Sequence, residues 1–498
     1  MQSKHLRKLA FGSLIVLGFT SLSTPIGYLN RLILARALSV EDFGLFYSAL
    51  AVFWFFITFN DLGFGYSILY FVPKWIKNKQ YKDVWNAFIY ELILEIGTTL
   101  IIGGILLLSA SWLATNYFLF QDSIIIVKVL LIYLLGNSLL SALKRIFTGL
   151  QQEYYYASIE FSRVSITAIA SAILISQGES RLWVYAAIWS IVHLFLSMLY
   201  GLLFYFKNNY LICLPDWNRS LFNRMFVYAL PTLMIQSVAI FTNYADTIIL
   251  TIIKGATDVG IYNVFYPIAS IPLFILTPLS MLLLPFYSYH IKDKTDRLNK
   301  LTLFFIKIVI FSGLYFGIFI ATYATESTSL LFGEKWLSQG SNALKVLSIG
   351  FVFQLLTILY ITIINGLGLI KTRLRISIII SILTVTLGIA STWMFGLVGL
   401  TSVNSIVYLT SAILFGRVVH NKLSIKVPYL FFIRIVLNVS LTALIIKLMF
   451  NSPNNFAEFI LIGSLYTTIV TIIGYIVFKT ELSTIIYELK KNKDDQTY

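Results

Sequence analysis

The chain has a single cysteine, Cys213, and four histidines, His5, His193, His290 and His420, scattered along 498 residues. One thiol excludes an intrachain disulfide, and the histidines have no spacing that would gather ligands, so neither a metal centre nor a cofactor is expected. Charge is scarce too: Asp, Glu, Lys and Arg make up 12% of the residues, against roughly 25% in an ordinary soluble protein. A soluble globule is excluded. No polar block as long as a domain interrupts the apolar sequence between Leu9 and Phe478, which leaves no room for a separate catalytic module. The apolar run that follows Lys8 continues through Tyr28 without a small-residue cleavage pattern and reads as a retained first helix.

Hydrophobic sequence is what the chain has in excess, at 58%. Apolar runs bounded by charges, Gly, Pro or Asn predict an all-α integral membrane protein of about fourteen spans. They lie near 9–30, 44–70, 87–113, 124–143, 156–177, 182–206, 225–253, 259–286, 301–324, 342–366, 374–394, 397–416, 429–450 and 457–478. An even number puts both termini on one side. The connections on that side, from Lys4 to Lys493, carry 26 Lys and Arg; the other side carries six, Arg31, Arg36, Arg181, Lys254, Lys335 and Lys447. Basic residues stay cytoplasmic, so both termini are expected in the cytoplasm, with the protein in the inner or plasma membrane. The same asymmetry accounts for most of the net charge of +15, and no nucleic-acid partner is expected.

A repeat divides most of this length. Tyr28-Leu29-Asn30-Arg31-Leu32-Ile33-Leu34 matches Tyr244-Ala245-Asp246-Thr247-Ile248-Ile249-Leu250, and Asp42-Phe43-Gly44-Leu45 matches Asp258-Val259-Gly260-Ile261, both 216 residues on. Ser190-Ile191-Val192 returns as Ser405-Ile406-Val407, and Gly149-Leu150 as Gly366-Leu367, within one residue of that offset. Six spans fit in one offset, so the copies share an orientation, as in parallel-repeat transporters whose site lies between the halves. The expected organisation is a six-helix lobe at 1–210, a linker at 211–224, a second six-helix lobe at 225–420, and a helix pair with a tail at 421–498.

Several stretches resemble the polysaccharide repeat-unit flippases of the multidrug/oligosaccharidyl-lipid/polysaccharide (MOP) exporter superfamily. They are Asn30-Arg31, Leu34-Ala35-Arg36, Glu41-Asp42-Phe43-Gly44 and Asp61-Leu62-Gly63-Phe64-Gly65, then Pro231, Asp246, Val259-Gly260-Ile261-Tyr262, Pro285, Leu331-Phe332-Gly333 and Phe395-Gly396-Leu397-Val398-Gly399-Leu400. The resemblance implies a V-shaped bundle that alternates between inward- and outward-facing states. It implies a polyprenyl-diphosphate-linked oligosaccharide as cargo, membrane lipids around it, and polysaccharide polymerases and glycosyltransferases as possible partners in surface polysaccharide (O-antigen, capsule or exopolysaccharide) synthesis.

Ionisable groups within spans cost about 2.5–3.5 kcal/mol each on the insertion scale and need a partner, water or a function. Glu91 and Glu95, at i and i+4, share one helix face. Their repulsion favours a shared proton or a cation, hence coupling to H⁺ or Na⁺, or contact with sugar hydroxyls; the alternative is neutralisation by Arg163 or Lys144. Asp61 either caps a bend at Gly63 and Gly65 or joins that pair. Asn30 and Asp246 are equivalent under the repeat, and Arg31 beside Asn30 offers a planar fork for a diphosphate, with Arg36 nearer the loop. The alternative for Arg31 is a salt bridge to Asp246. Glu160 and Arg163 neutralise one another at i and i+3, or Arg163 faces the cavity; His193 is packing or a proton relay; Asn365 and Asn404 line the second lobe or join helices. Five prolines, at 231, 267, 272, 278 and 285, bring curvature or hinges.

Two other functions compete. A cation-coupled multidrug exporter of the same superfamily would favour an acidic or aromatic cavity. An intramembrane polysaccharide polymerase or glycosyltransferase would need a large outer loop with acid/base residues. The longest outer connection, 325–341, offers only Glu326, Glu334 and Lys335, so an enzyme is not expected.

Overall fold

A computed structural model describes residues 2–274, 276, 280, 283, 287, 296–337, 340–425, 429–450, 453 and 455–494. Pro278, Pro285, His290, Lys292, Lys294 and Lys426 lie outside the described residues. The described chain is helical, and ten of its helices are long and apolar enough to cross a membrane. It forms two compact units, Met1–Val264 and Phe265–Tyr498.

The first unit runs through α1 (Gln2–Ala37), α2 (Val40–Ile57), α3 (Phe64–Lys77), α4 (Tyr81–Leu108), α5 (Ser123–Gly149), α6 (Glu153–Ser176), α7 (Leu182–Lys207), α8 (Arg219–Asn243), α9 (Ala245–Lys254) and the start of α10 (Ala256–Ala269). Two predicted spans are broken. Residues 44–70 split between α2 and α3, where Leu62 and Gly63 both take positive φ, of 46° and 82°. Asp61 Oδ1 accepts from the Gly63 N–H at 2.9 Å and caps this bend. The span 225–253 breaks at Tyr244, between α8 and α9. The linker after α7 is tied to the start of α4: Tyr90 Oη donates to the Asp216 carbonyl at 2.8 Å, and the Asp216 N–H donates to Asn86 at 3.0 Å. Phe64, Ile68, Phe88, Phe147, Phe204 and Met225 make the core beneath it.

The second unit holds α11 (Asp296–Thr322), α12 (Ala324–Phe332), α13 (Gly340–Gly366), α14 (Ile370–Leu423), α15 (Tyr429–Phe450) and α16 (Phe456–Asp494). At 54 residues α14 would reach about 81 Å, far beyond one bilayer core of about 30 Å. It is two helices meeting at Gly396, whose φ of 61° and ψ of −144° are not helical. The C-terminal pair packs on α11, where Tyr466 stacks on Tyr315 at 5.2 Å and donates its hydroxyl to the Tyr315 carbonyl at 2.9 Å.

Local geometry returns at the repeat offset. α5 and α13 each have 27 residues and end on Gly149 and Gly366. Both are followed by a positive-φ residue, Gln151 at 56° and Gly368 at 69°, and by matching turn bonds, Gln151 N to Thr148 O and Gly368 N to Asn365 O, each 3.0 Å. Ser190 donates across to the Val129 carbonyl at 2.9 Å in the first unit, and Ser405 to the Val346 carbonyl at 3.1 Å in the second. Within the first unit Gly44 and Gly260, 216 residues apart, pack reciprocally. A side chain on Gly44 would overlap the Ala256 carbonyl, and one on Gly260 would overlap the Val40 carbonyl. Only a residue without Cβ allows the two backbones to approach this closely.

Candidate functional site

All but two of the polar residues singled out within the spans belong to the first unit, the exceptions being Asn365 and Asn404. Three groups of them can be built from its helices.

The first group surrounds Arg145. The α4 face carries Glu91 and Glu95, which are 0% and 3% exposed. Arg145 reaches them from α5: its Nε donates to Glu91 Oε1 and its Nη2 to Glu95 Oε2, while Nη1 lies 3.9 Å from Asp61 Oδ2. Asp61 therefore both caps the α2/α3 bend and joins the cluster. The neutralising cation expected from Arg163 or Lys144 is Arg145 instead. In the sequence, Lys144-Arg145 reads as the end of a span at residue 143, but α5 continues to Gly149 and turns Arg145 inward. Gly65 provides the room, since a Cβ there would overlap Arg145 Cδ. One cation among three carboxylates leaves the fully ionised cluster with net charge −2, and Glu91 Oε2 is buried without a hydrogen-bond partner among the described residues. Such a site can accept a proton or a cation. Next to it, Asn60 donates to Thr99 and Ser138 at 3.0 and 2.8 Å and joins α4 to α5.

The second group surrounds Arg31 on α1. Its Nε donates to Tyr47 Oη and its Nη1 to the Asn263 carbonyl, each at 3.0 Å, and its Cζ lies 4.5 Å from the Tyr47 ring centroid. Tyr47 and Asn263 are themselves 216 residues apart, so Arg31 spans equivalent positions of the two copies. Asp246 bonds elsewhere, accepting from Tyr262 Oη at 2.6 Å, and no Arg31–Asp246 ion pair forms among the described residues. In the first copy the equivalents of Asp246 and Tyr262 are Asn30 and Phe46. Phenylalanine has no hydroxyl to offer, and Asn30 Oδ1, in a residue 6% exposed, has no partner among the described residues. The two copies thus differ where they are equivalent: one has a neutral amide beside an arginine, the other a carboxylate. Arg36 is exposed in the last turn of α1.

The third group lies between α5, α6 and α7. Arg163 pairs with Glu160 on its own helix, as the i, i+3 spacing predicts, and its Cζ is 5.8 Å from the Trp189 ring centroid. His193 Nδ1 is 2.6 Å from the Trp189 carbonyl, and its ring meets Tyr133 edge-on at 4.7 Å. Trp54 Nε1 donates to Tyr133 Oη at 2.9 Å, and Tyr244 lies 5.7 Å from Trp54 between centroids. Sequence reasoning missed this aromatic wall, because with 16% Phe, Trp and Tyr no single ring stands out.

In the second unit Asn404 is buried on α14, and Asn365 accepts from Arg373 Nη1 at 3.0 Å.

Comparison with known proteins adds to this geometry. The sequence model of a family described as polysaccharide biosynthesis protein matches residues 9–290. An uncharacterized membrane protein of Methanocaldococcus jannaschii, MJ1068, is 23% identical over 370 residues, covering 70% of this chain and 71% of its own. Among solved structures, the lipid II flippase MurJ in an inward closed conformation aligns with a TM-score of 0.73 at 17% identity, covering 94% of this chain and 100% of its own. A multidrug resistance MATE family transporter of the MOP superfamily, inward-facing, aligns with a TM-score of 0.71 at 15% identity, covering 83% and 99%. The fold is the helical fold of these two structures.

Proposed function

The chain belongs to the polysaccharide biosynthesis protein family, and on that premise we propose that it flips a polyprenyl-diphosphate-linked oligosaccharide from the cytoplasmic to the outer leaflet of the cell membrane by alternating access. The cargo serves a surface polysaccharide, with the polymerase and glycosyltransferases of that synthesis as partners. In this reading the chain makes fourteen crossings, in two parallel six-helix lobes and a C-terminal pair, with both termini cytoplasmic.

The observation that carries the proposal is Arg31. It sits on a helix of the apolar region, partly exposed, and both its hydrogen-bond partners are neutral. A cation left uncompensated there is costly, and a diphosphate is the cargo group that would compensate it through a multidentate fork. Asn30, Asp246 and Arg36 flank it, Arg163 lies further along the same unit, and Asn404 belongs to the second lobe. The Asp61–Glu91–Glu95 cluster is the proposed coupling site for H⁺ or Na⁺, with Arg145 as its resident counter-ion. His193, whose Nδ1 faces a backbone carbonyl inside its own helix, packs the wall rather than relaying protons.

Mass spectrometry of lipids in cells lacking the protein tests the cargo. Accumulated polyprenyl-linked oligosaccharide supports the flippase; drug sensitivity without it favours the multidrug exporter, for which the net negative cluster at Glu91 would be the relevant charge. Orientation is tested with the native thiol. Cys213 is exposed in the linker and should react with an impermeant maleimide only after the cytoplasmic face is opened; labelling of intact cells would invert the topology.

A further inference from the structure

Arg31 and Arg163 differ in what they can bind. Arg31 has neutral partners and keeps its charge for an anion. Arg163 is already matched by Glu160, so the pair is neutral overall and a poor diphosphate site. Yet the pair is not sealed: the Glu160 side chain is 42% exposed and that of Arg163 20%. An open carboxylate on an apolar helix, fixed by a guanidinium, presents acceptors and donors side by side, the pattern that suits the adjacent hydroxyls of a sugar. Around the pair stand aromatic rings. Trp189 faces Arg163, Tyr133 lies 6.3 Å from Trp189 between ring centroids, and Trp54 and Tyr244 are half-buried. Rings with an apolar face and a polar edge suit the C–H face of a pyranose. Among the described residues the Trp189 indole N–H is buried without a partner, a further donor left over. One ring, Phe46, separates this group from Tyr47 and Arg31; it lies 5.4 Å from Trp189 and 5.6 Å from Tyr47 between centroids.

We infer that Glu160, Arg163, Trp54 and Trp189 form a subsite for a neutral sugar of the cargo, set beside an anion end at Arg31. This rests on the transport reading above and assigns the two ends of the cargo to two ends of one aromatic wall.

Binding measured on the full-length protein in detergent tests it, with farnesyl diphosphate and farnesyl diphosphate carrying glucose, galactose or N-acetylglucosamine as probes. The wild type should bind at least one glycosylated probe about tenfold more tightly than the bare lipid. Glu160→Gln and Trp54→Ala should each bring that ratio close to one. Arg31→Ala should weaken both kinds of probe and leave the ratio in place, which also shows that a folded variant is being read. Equal affinity of the wild type for bare and glycosylated lipid, or a ratio that survives both substitutions, overturns the subsite while leaving lipid transport standing. Failure of the wild type to bind any diphosphate lipid instead overturns the transport reading and takes the subsite with it.

Discussion

Arg145 and Arg31 are two arginines of one compact unit placed in opposite surroundings. Arg145 meets three carboxylates, Glu91, Glu95 and Asp61, whereas Arg31 meets a phenol and a carbonyl. Among the described residues one is a cation in acidic excess and the other a cation with no acid paired to it. These two arginines therefore show two kinds of charge burial. At Arg145 the protein supplies its own counter-ions and leaves a negative remainder; at Arg31 the described partners are neutral and leave the positive charge unmatched.

Removing the guanidinium from each should separate the two kinds, and the larger effect on stability is expected at Arg145. Arg145→Ala leaves three carboxylates unpaired in the interior, a loss of about 3–5 kcal/mol, to be read as a fall in melting temperature of the detergent-solubilised protein. Adding Glu91→Gln and Glu95→Gln to that variant should restore most of it; no recovery would mean that Arg145 acts through packing alone. Arg31→Ala should hardly move the melting temperature but should remove charge-assisted bonds of about 1.5–3 kcal/mol, roughly ten- to a hundredfold in diphosphate-lipid affinity. Polysaccharide export should stop while membrane insertion stays normal. A variant that exports normally would place the anion elsewhere.

Two smaller effects sharpen the contrast. Tyr262→Phe gives the second copy the residue that stands at Phe46 in the first, and removes a bond to a buried carboxylate at a cost of about 1–3 kcal/mol, measurable as a lower melting temperature. A neutral result would mean that the other contacts of Asp246 suffice. Glu179, in the loop after α6, forms a further carboxylate–arginine pair, with Arg181. Hydrogen bonds from the Arg181 side chain, and then from its backbone N–H, hold the Glu179 carboxyl down at about 2. A lowered value means that the carboxylate form is kept above it and lost only as pH falls through it. The loop should keep its geometry from pH 7 to pH 4, so proteolytic cleavage between α6 and α7 should not accelerate over that window.

Much of this was legible in the sequence. Hydrophobic runs give the helical membrane fold, and the i, i+4 spacing of Glu91 and Glu95 gives a shared face. Asp61 with Gly63 gives the capped bend, and the offset of 216 marks positions that do meet or match in three dimensions, Gly44 with Gly260 and Ser190 with Ser405. Other features were hidden because they depend on neighbours far along the chain. Arg145 looks like a loop residue until the missing side chain of Gly65 is seen to open a slot for it. The pairing of small residues in α3 with a basic residue at the end of α5 is the signal that could have found it. The break at Tyr244 has no Gly or Pro to announce it, and the rings of Trp54, Tyr133 and Trp189 are a site only through their mutual placement.

The reciprocal contact of Gly44 with Gly260 also bears on how the chain is made. A ribosome adding roughly 5–20 residues per second completes α2 some tens of seconds before Gly260 exists. During that interval the glycine face of α2 has no partner, and neither does the slot where Arg31 will reach the Asn263 carbonyl. Helices α1 to α7 must wait with this seam open, so the unit Met1–Val264 can close only after the segment around Gly260 has been made.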